Sequence, residues 1–181
     1  MCSVNELKTK ICEAFANVEY PGDWCLRAGG GGDEPFLLES EFKGKSDWTC
    51  LDASFLDQAP GGYGSALSFF SDEAFRYYLP AYLIADVDCR LELANVGFHL
   101  TRGLTDSEMV ELSNPQRYGA RTLFDEARYK FSMFKSGEAA AITAFLRHKH
   151  ELFENDETRC VHSQKRIAQA LRNYWLNRAM L

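Results

Sequence analysis

No run of apolar residues in this 181-residue chain approaches the roughly 20 that a membrane-spanning helix needs. A helical membrane span is therefore excluded. The stretch MCSVNELKTKICEAF has no basic segment followed by an apolar one, so no secretory signal is expected. There is no Cys-x-x-Cys pair. The six cysteines (Cys2, Cys12, Cys25, Cys50, Cys89, Cys160) are scattered, and without an export signal they are expected as reduced thiols. Histidine is scarce. His148 and His150 lie two apart on a predicted helix, about 200° around its axis, and cannot share an ion. Cys160 and His162 fail the same test, so no metal site is expected. No Gly-x-Ser-x-Gly elbow occurs, and Ser65 in GGYGSA has the wrong spacing for one. The glycine loop AGGGGDEP, 28–35, lacks the Lys and Ser/Thr of a phosphate loop, and Asp33 and Glu34 would repel phosphate. These absences leave no cofactor to expect.

The composition that remains is globular: 46% hydrophobic, 13% aromatic and 25% charged. The net charge is −6, unevenly spread. Residues 1–60 hold 11 acids against 5 bases, whereas residues 61–181 hold 15 of each. Residues 158–181 carry Arg159, Lys165, Arg166, Arg172 and Arg178 and no acid. Such surfaces are ordinarily solvated or matched within the fold. Five cations on an acidic protein make a weak nucleic-acid footprint, so nucleic acid is not the expected partner.

Apolar residues recur at helical spacing along most of the chain. Val4, Leu7, Ile11 and Phe15 predict a helix over 4–16, capped by Ser3 or Asn5. A short helix is expected in 48–56, starting near Asp52, and a loop over 59–66. Phe98 and Leu100 alternate with His99 and Thr101, which reads as a short strand or extended segment within 91–104. Thr105 and Glu108 form a capping-box pattern for a helix to about Leu112, before the Asn114-Pro115 break. Helices are further expected over 117–131, 136–153 and 158–178. The last two bury Ala139, Ile142, Phe145 and Leu146, and Ile167, Leu171, Tyr174 and Trp175. No internal repeat appears. The expected fold is mainly α: a single compact helical domain over 1–181, with at most one or two short strands. An acidic, loop-rich part over 1–64 would precede a helical core over 65–181.

The segment SDEAFRYYLPAYLIADV, 71–87, places Pro80 inside an amphipathic helix. At 100° per residue, Phe75, Leu79 and Tyr82 share a stripe, while Tyr77 and Ile84 point the other way. A helix apolar nearly all round is a central, buried one. Pro80 removes the N–H that would satisfy the Arg76 carbonyl, so the helix must kink or split there. Asp86 falls on the stripe of Phe75 and Tyr82, which predicts a buried acid in need of an arginine: Arg76, Arg102, Arg121 or Arg128. A binding site, if one exists, is expected among Arg76, Tyr77, Asp86, His99 and Arg102. No catalytic residue can be selected.

FFSDEAFRYYLPAYLIAD, Phe69 to Asp86, resembles the signature of a family of small bacterial proteins of unknown function, centred on Ala-Phe-Arg-Tyr-aromatic-Leu-Pro-Ala-Tyr-Leu. YGARTLF, 118–124, and AAAITAFLRH, 139–148, are similar in order and spacing. The resemblance covers roughly residues 45–175, and the segment with the four glycines looks peculiar to this chain. It implies a bacterial, cytoplasmic protein and no mechanism. With no recognisable catalytic constellation, the expected role is a non-catalytic protein-interaction module, immunity- or antitoxin-like, whose partner is another protein and not a membrane. The alternative is an enzyme or small-molecule binder with a site near the kinked helix 72–87.

Overall fold

The computed structural model describes residues 3–29, 32–58, 66–154 and 161–180. It is mainly α-helical, as the periodicity predicts, and no strand occurs among the described residues. Two isolated antiparallel bridges pair Arg27 with Phe70 and Leu112 with Thr122. The chain forms two compact units, Met1–Val96 and Gly97–Leu181. Most of the expected 59–66 loop, and Cys160, lie outside the described residues.

In the first unit, α1 (Val4–Phe15) is closed by a capping box: Ser3 N donates to Glu6 Oε2 at 2.7 Å and Glu6 N to Ser3 Oγ at 3.2 Å. Leu7, Ile11 and Phe15 are buried, but Val4, expected on the same face, is exposed. A 3₁₀ turn (Asp23–Cys25) precedes α2 (Glu34–Phe42), and a second (Trp48–Cys50) precedes α3 (Ala53–Gln58). Asp52 caps α3, accepting from Phe55 N at 2.8 Å. The short α4 (Ala66–Phe69) leads into α5 (Asp72–Val87), which is capped by Ser71 and runs through Pro80 as one helix. The expected alternative of two separate pieces does not occur. α5 packs against α1, α3 and the second 3₁₀ turn, while α2 packs on α4. Phe75, Tyr77, Tyr78, Leu79, Pro80, Tyr82 and Leu83 are all buried, which makes α5 the central element the sequence predicts.

The second unit holds α6 (Val96–Thr101), which opens at the boundary, then α7 (Pro115–Tyr118), α8 (Leu123–Phe131), α9 (Ser136–Glu154) and α10 (Val161–Ala170). A π-helical turn (Leu171–Trp175) and α11 (Leu176–Arg178) finish it. The expected extended segment within 91–104 is therefore corrected to a helix over 96–101. Val96, Leu100 and Leu104 are the fully buried apolar residues there, beside the fully buried Thr101, and the spacing of four between the apolar ones is helical. The expected helix after Thr105 forms only turns, and the helix expected over 117–131 is two helices separated by Gly119, at φ 63°. α9 receives α10, the π turn and α11, burying the predicted Ala139, Ile142, Phe145 and Leu146. Trp175 sits in an aromatic cluster with Phe131, Phe134 and Tyr174.

Candidate functional site

The five residues expected at a site fall in both units. Arg76, Tyr77 and Asp86 lie on α5 of the first, and His99 and Arg102 follow the boundary in the second. Arg76 and Asp86 are half-buried and Arg102 is exposed. Tyr77 is buried, and its hydroxyl donates to the Ser46 carbonyl at 2.5 Å. Its neighbour Tyr78 donates to the Lys45 carbonyl at 2.8 Å. Two of the tyrosine tips around Pro80 thus fasten the 45–46 loop to α5, in an aromatic cluster that includes Tyr20, Phe42 and Phe70. Burial raises the Tyr77 and Tyr78 hydroxyls above the usual phenol range, so they stay neutral donors.

Tyr82 is different. It is fully buried, and among the described residues its hydroxyl has no hydrogen-bond partner; the same holds for Glu41 Oε2. Burial raises this phenol as well, and the charges of Asp57 and Glu41 add to the effect. The two hydroxyls make a paired prediction. Tyr78→Phe leaves a carbonyl without its donor and should cost about 1–2 kcal/mol, whereas Tyr82→Phe should be neutral or stabilising. Urea unfolding of both variants checks the order; equal losses would contradict it.

His99 is half-buried beside Phe98. Burial pushes its pKa from 6.5 down to about 4, and the nearby Lys130 and Arg102 charges add to the fall. The folded state holds the ring neutral, so its contribution to stability is complete above pH 6.5 and is lost as pH falls from 6.5 toward 4. Titration of His99 by NMR should show an imidazole still neutral at pH 5.5, about midway in that window. A midpoint near its ordinary value would contradict the burial.

Most acids of the N-terminal segment turn out to be engaged. Glu39 accepts from Arg27 Nε at 2.7 Å. Asp47 caps the second 3₁₀ turn through Thr49 N at 2.9 Å. Burial raises Asp57, but the backbone N–H groups of Ala94, Glu92 and Leu93 outweigh it and hold its carboxyl below the usual range. An open cleft of about 610 Å³ is lined by Asp52, Asp57, Arg90 and Glu92 among others. The Asp52 and Asp57 carboxylates on its wall already accept backbone N–H groups. Among the described residues no cluster of three His, Cys, Asp or Glu side chains is placed to hold a metal ion.

Two aromatic rings of the first unit, Trp24 and Phe36, are exposed. Trp24 is 86% exposed, on a turn that is tightly held. Asp23 accepts from the Tyr20 hydroxyl and from Gly44 N, the latter at 2.8 Å. Gly22 has φ +87°, and a Cβ there would lie 2.7 Å from the Trp24 indole nitrogen. Phe36 and Leu37 are exposed on α2, and the Arg27 guanidinium lies 4.3 Å from the centre of the Phe36 ring. Sequence reasoning passed over these residues, since a tryptophan beside Pro-Gly-Asp gives no sign that its ring stays in water.

No curated protein matches the chain, and no solved structure does. A family model does match, over residues 3–179, a wider span than the 45–175 resemblance, reaching across the segment with the four glycines. The chain belongs to the family described as "Family of unknown function (DUF6714)".

Proposed function

We propose that the protein is a non-catalytic interaction module of the bacterial cytoplasm, immunity- or antitoxin-like, that docks another protein through its first unit. The observation that carries this reading is the exposed Trp24 on its braced turn. A large ring held in water by a rigid backbone loses little entropy on binding, and tryptophan is prominent among residues that dominate interface energies. Charge supports a basic partner: residues 1–96 hold 16 acids and 7 bases. Of the acids within 33–57, Asp33 and Glu34 are exposed and stand just before Phe36 and Leu37. The acids at 39, 47, 52 and 57 have structural work and make poor targets for a binding test.

Trp24→Ala should therefore leave folding within about 0.5 kcal/mol of the parent, as exposed substitutions do. It should weaken partner binding by about 2 kcal/mol, roughly 30-fold. Asp33→Asn with Glu34→Gln should slow association and reduce its salt dependence. Calorimetric titration against the co-purified partner measures the first effect; unchanged affinity for Trp24→Ala rules the reading out.

A small-molecule site beside α5 is the second reading, and it draws on the buried, unpartnered oxygens of Glu41 and Tyr82. A compound that raises the melting temperature of the parent but not of Tyr82→Phe would support it. A screen in which no compound stabilises the parent would count against it.

A further inference from the structure

The second unit carries a surface of opposite character. From Ser113 to Thr122 the chain leaves the core as an arm, closed at its base by Ser113 N donating to the Arg121 carbonyl at 2.8 Å and Leu123 N to the Glu111 carbonyl at 2.9 Å. Ser113 is buried at the base, where its hydroxyl donates to Glu126 Oε1 at 2.5 Å. Every residue from Asn114 to Arg121 is exposed. The arm holds Arg117 and Arg121 and no acid. Of the acids nearest in sequence, Asp125 caps α8 at Thr122 and Glu126 holds Ser113, while Glu111, at the base of the arm, is exposed.

Each arginine lies over an aromatic ring. The Arg117 guanidinium is 5.2 Å from the Tyr118 ring centre, Arg121 is 5.8 Å from Tyr129, and Arg128 on α8 is 5.7 Å from Phe124. Tyr129 is 70% exposed. None of these three guanidiniums donates a hydrogen bond to a carboxylate among the described residues. A guanidinium resting on a ring is pre-oriented, keeps its donor edge in water, and loses little freedom when it takes an oxyanion in a two-pronged contact.

We infer that this arm is a second docking surface, for a short acidic segment of a partner protein whose carboxylates bind Arg117 and Arg121 while its backbone packs on Tyr118 and Tyr129. A peptide is favoured over a nucleic acid by charge. The whole chain is −6, so a long polyanion meets net repulsion, and an arm with so few cations releases few counterions from one. A segment with a few carboxylates suffers little of that repulsion and matches the guanidinium forks.

The test is fluorescence anisotropy on the full chain at low salt, with a labelled peptide alternating glutamate and glycine and, separately, an oligothymidylate of equal charge. The peptide should bind, lose affinity as salt rises, and bind about tenfold or more weakly to Arg117→Gln/Arg121→Gln. Arg117→Lys/Arg121→Lys keeps the charge and loses the fork, so it should bind about threefold more weakly while melting like the parent. Trp24→Ala should bind the peptide as the parent does. The inference is overturned by no peptide binding at low salt, by full affinity in both double variants, or by tighter binding of the oligothymidylate.

Discussion

Trp175→Ala is expected to unfold the second unit or lower its melting temperature by at least about 12 °C. The indole is fully buried, its ring centre 5.0 Å from that of Phe131 and 5.2 Å from that of Tyr174. Its Nε1 donates to the Leu100 carbonyl at 2.8 Å, tying the last helix to α6. Its own carbonyl accepts from the buried Thr143 hydroxyl at 3.2 Å, tying it to α9. Both contacts leave from the last residue of the π turn over Leu171–Trp175. Truncating such a side chain costs about 3–5 kcal/mol for the cavity, and the orphaned Leu100 carbonyl adds about 1 kcal/mol or more. That is comparable with the whole stability of a small unit, about 5–15 kcal/mol. Trp175→Phe keeps most of the ring packing and should lose clearly less. Thermal unfolding followed by far-UV circular dichroism gives the answer, and a shift under about 4 °C would mean the cluster does not hold the unit together.

Gly103→Ala should be nearly as damaging, for a reason in the backbone. Gly103 has φ +80°, and a Cβ there would sit 2.5 Å from the Leu123 carbonyl oxygen and 2.9 Å from Ala127 Cβ. The left-handed conformation alone costs a non-glycine residue about 1–2 kcal/mol. The clash forces α8 away from the turn, for a total of roughly 3 kcal/mol or more. A polar hub goes with it. Glu108 Oε2 accepts from Gly103 N at 2.9 Å and from the Thr105 hydroxyl at 2.9 Å, while Oε1 accepts from Arg166 at 2.6 Å. Gly119→Ala is the control. It too has positive φ, 63°, with ψ −127°, but beyond its chain neighbours no described atom lies within 4 Å of the added carbon, so only the backbone cost of about 1–3 kcal/mol is expected, without the clash. Equal destabilisation by the two substitutions would show that crowding at Gly103 is not the cause.

How much of this the sequence displays depends on the range of the interaction. The all-apolar circumference of α5, the stripe of α9 and the Ile167–Leu171–Tyr174–Trp175 face are local periodicities, and each led to a helix in the right place with its apolar face buried, except that Tyr174 is half-buried. The segment around Phe98 misled because alternation over four residues also fits a helical turn, and Val96, Leu100 and Leu104 are the spacing that decides it. Thr105 and Glu108 do form their capping contacts, Thr105 N to Glu108 Oε2 at 3.3 Å and Glu108 N to Thr105 Oγ1 at 3.4 Å, yet no helix follows. The Glu108 carboxylate is also claimed by Gly103 and Arg166, and the second of these is 58 positions away. The same limit hid the role of Asp57, whose backbone donors lie 35 to 37 positions on. Exposure of Trp24 depends on neighbours brought together by folding and left no mark in its own sequence. The candidate site was therefore read from the buried aromatics of α5, where two of the hydroxyls prove to be structural ties.

A protein that works through an outward-facing surface, rather than through chemistry beside α5, should depend on Trp24 and not on Arg76. Quantitative affinity purification from the cells that make it, comparing the parent with Trp24→Ala and Arg76→Ala, tests this most directly. A stoichiometric protein partner should come down with the parent, be lost with Trp24→Ala, and be retained with a folded Arg76→Ala. A partner that stays with Trp24→Ala and leaves with a folded Arg76→Ala would contradict that dependence and return attention to α5.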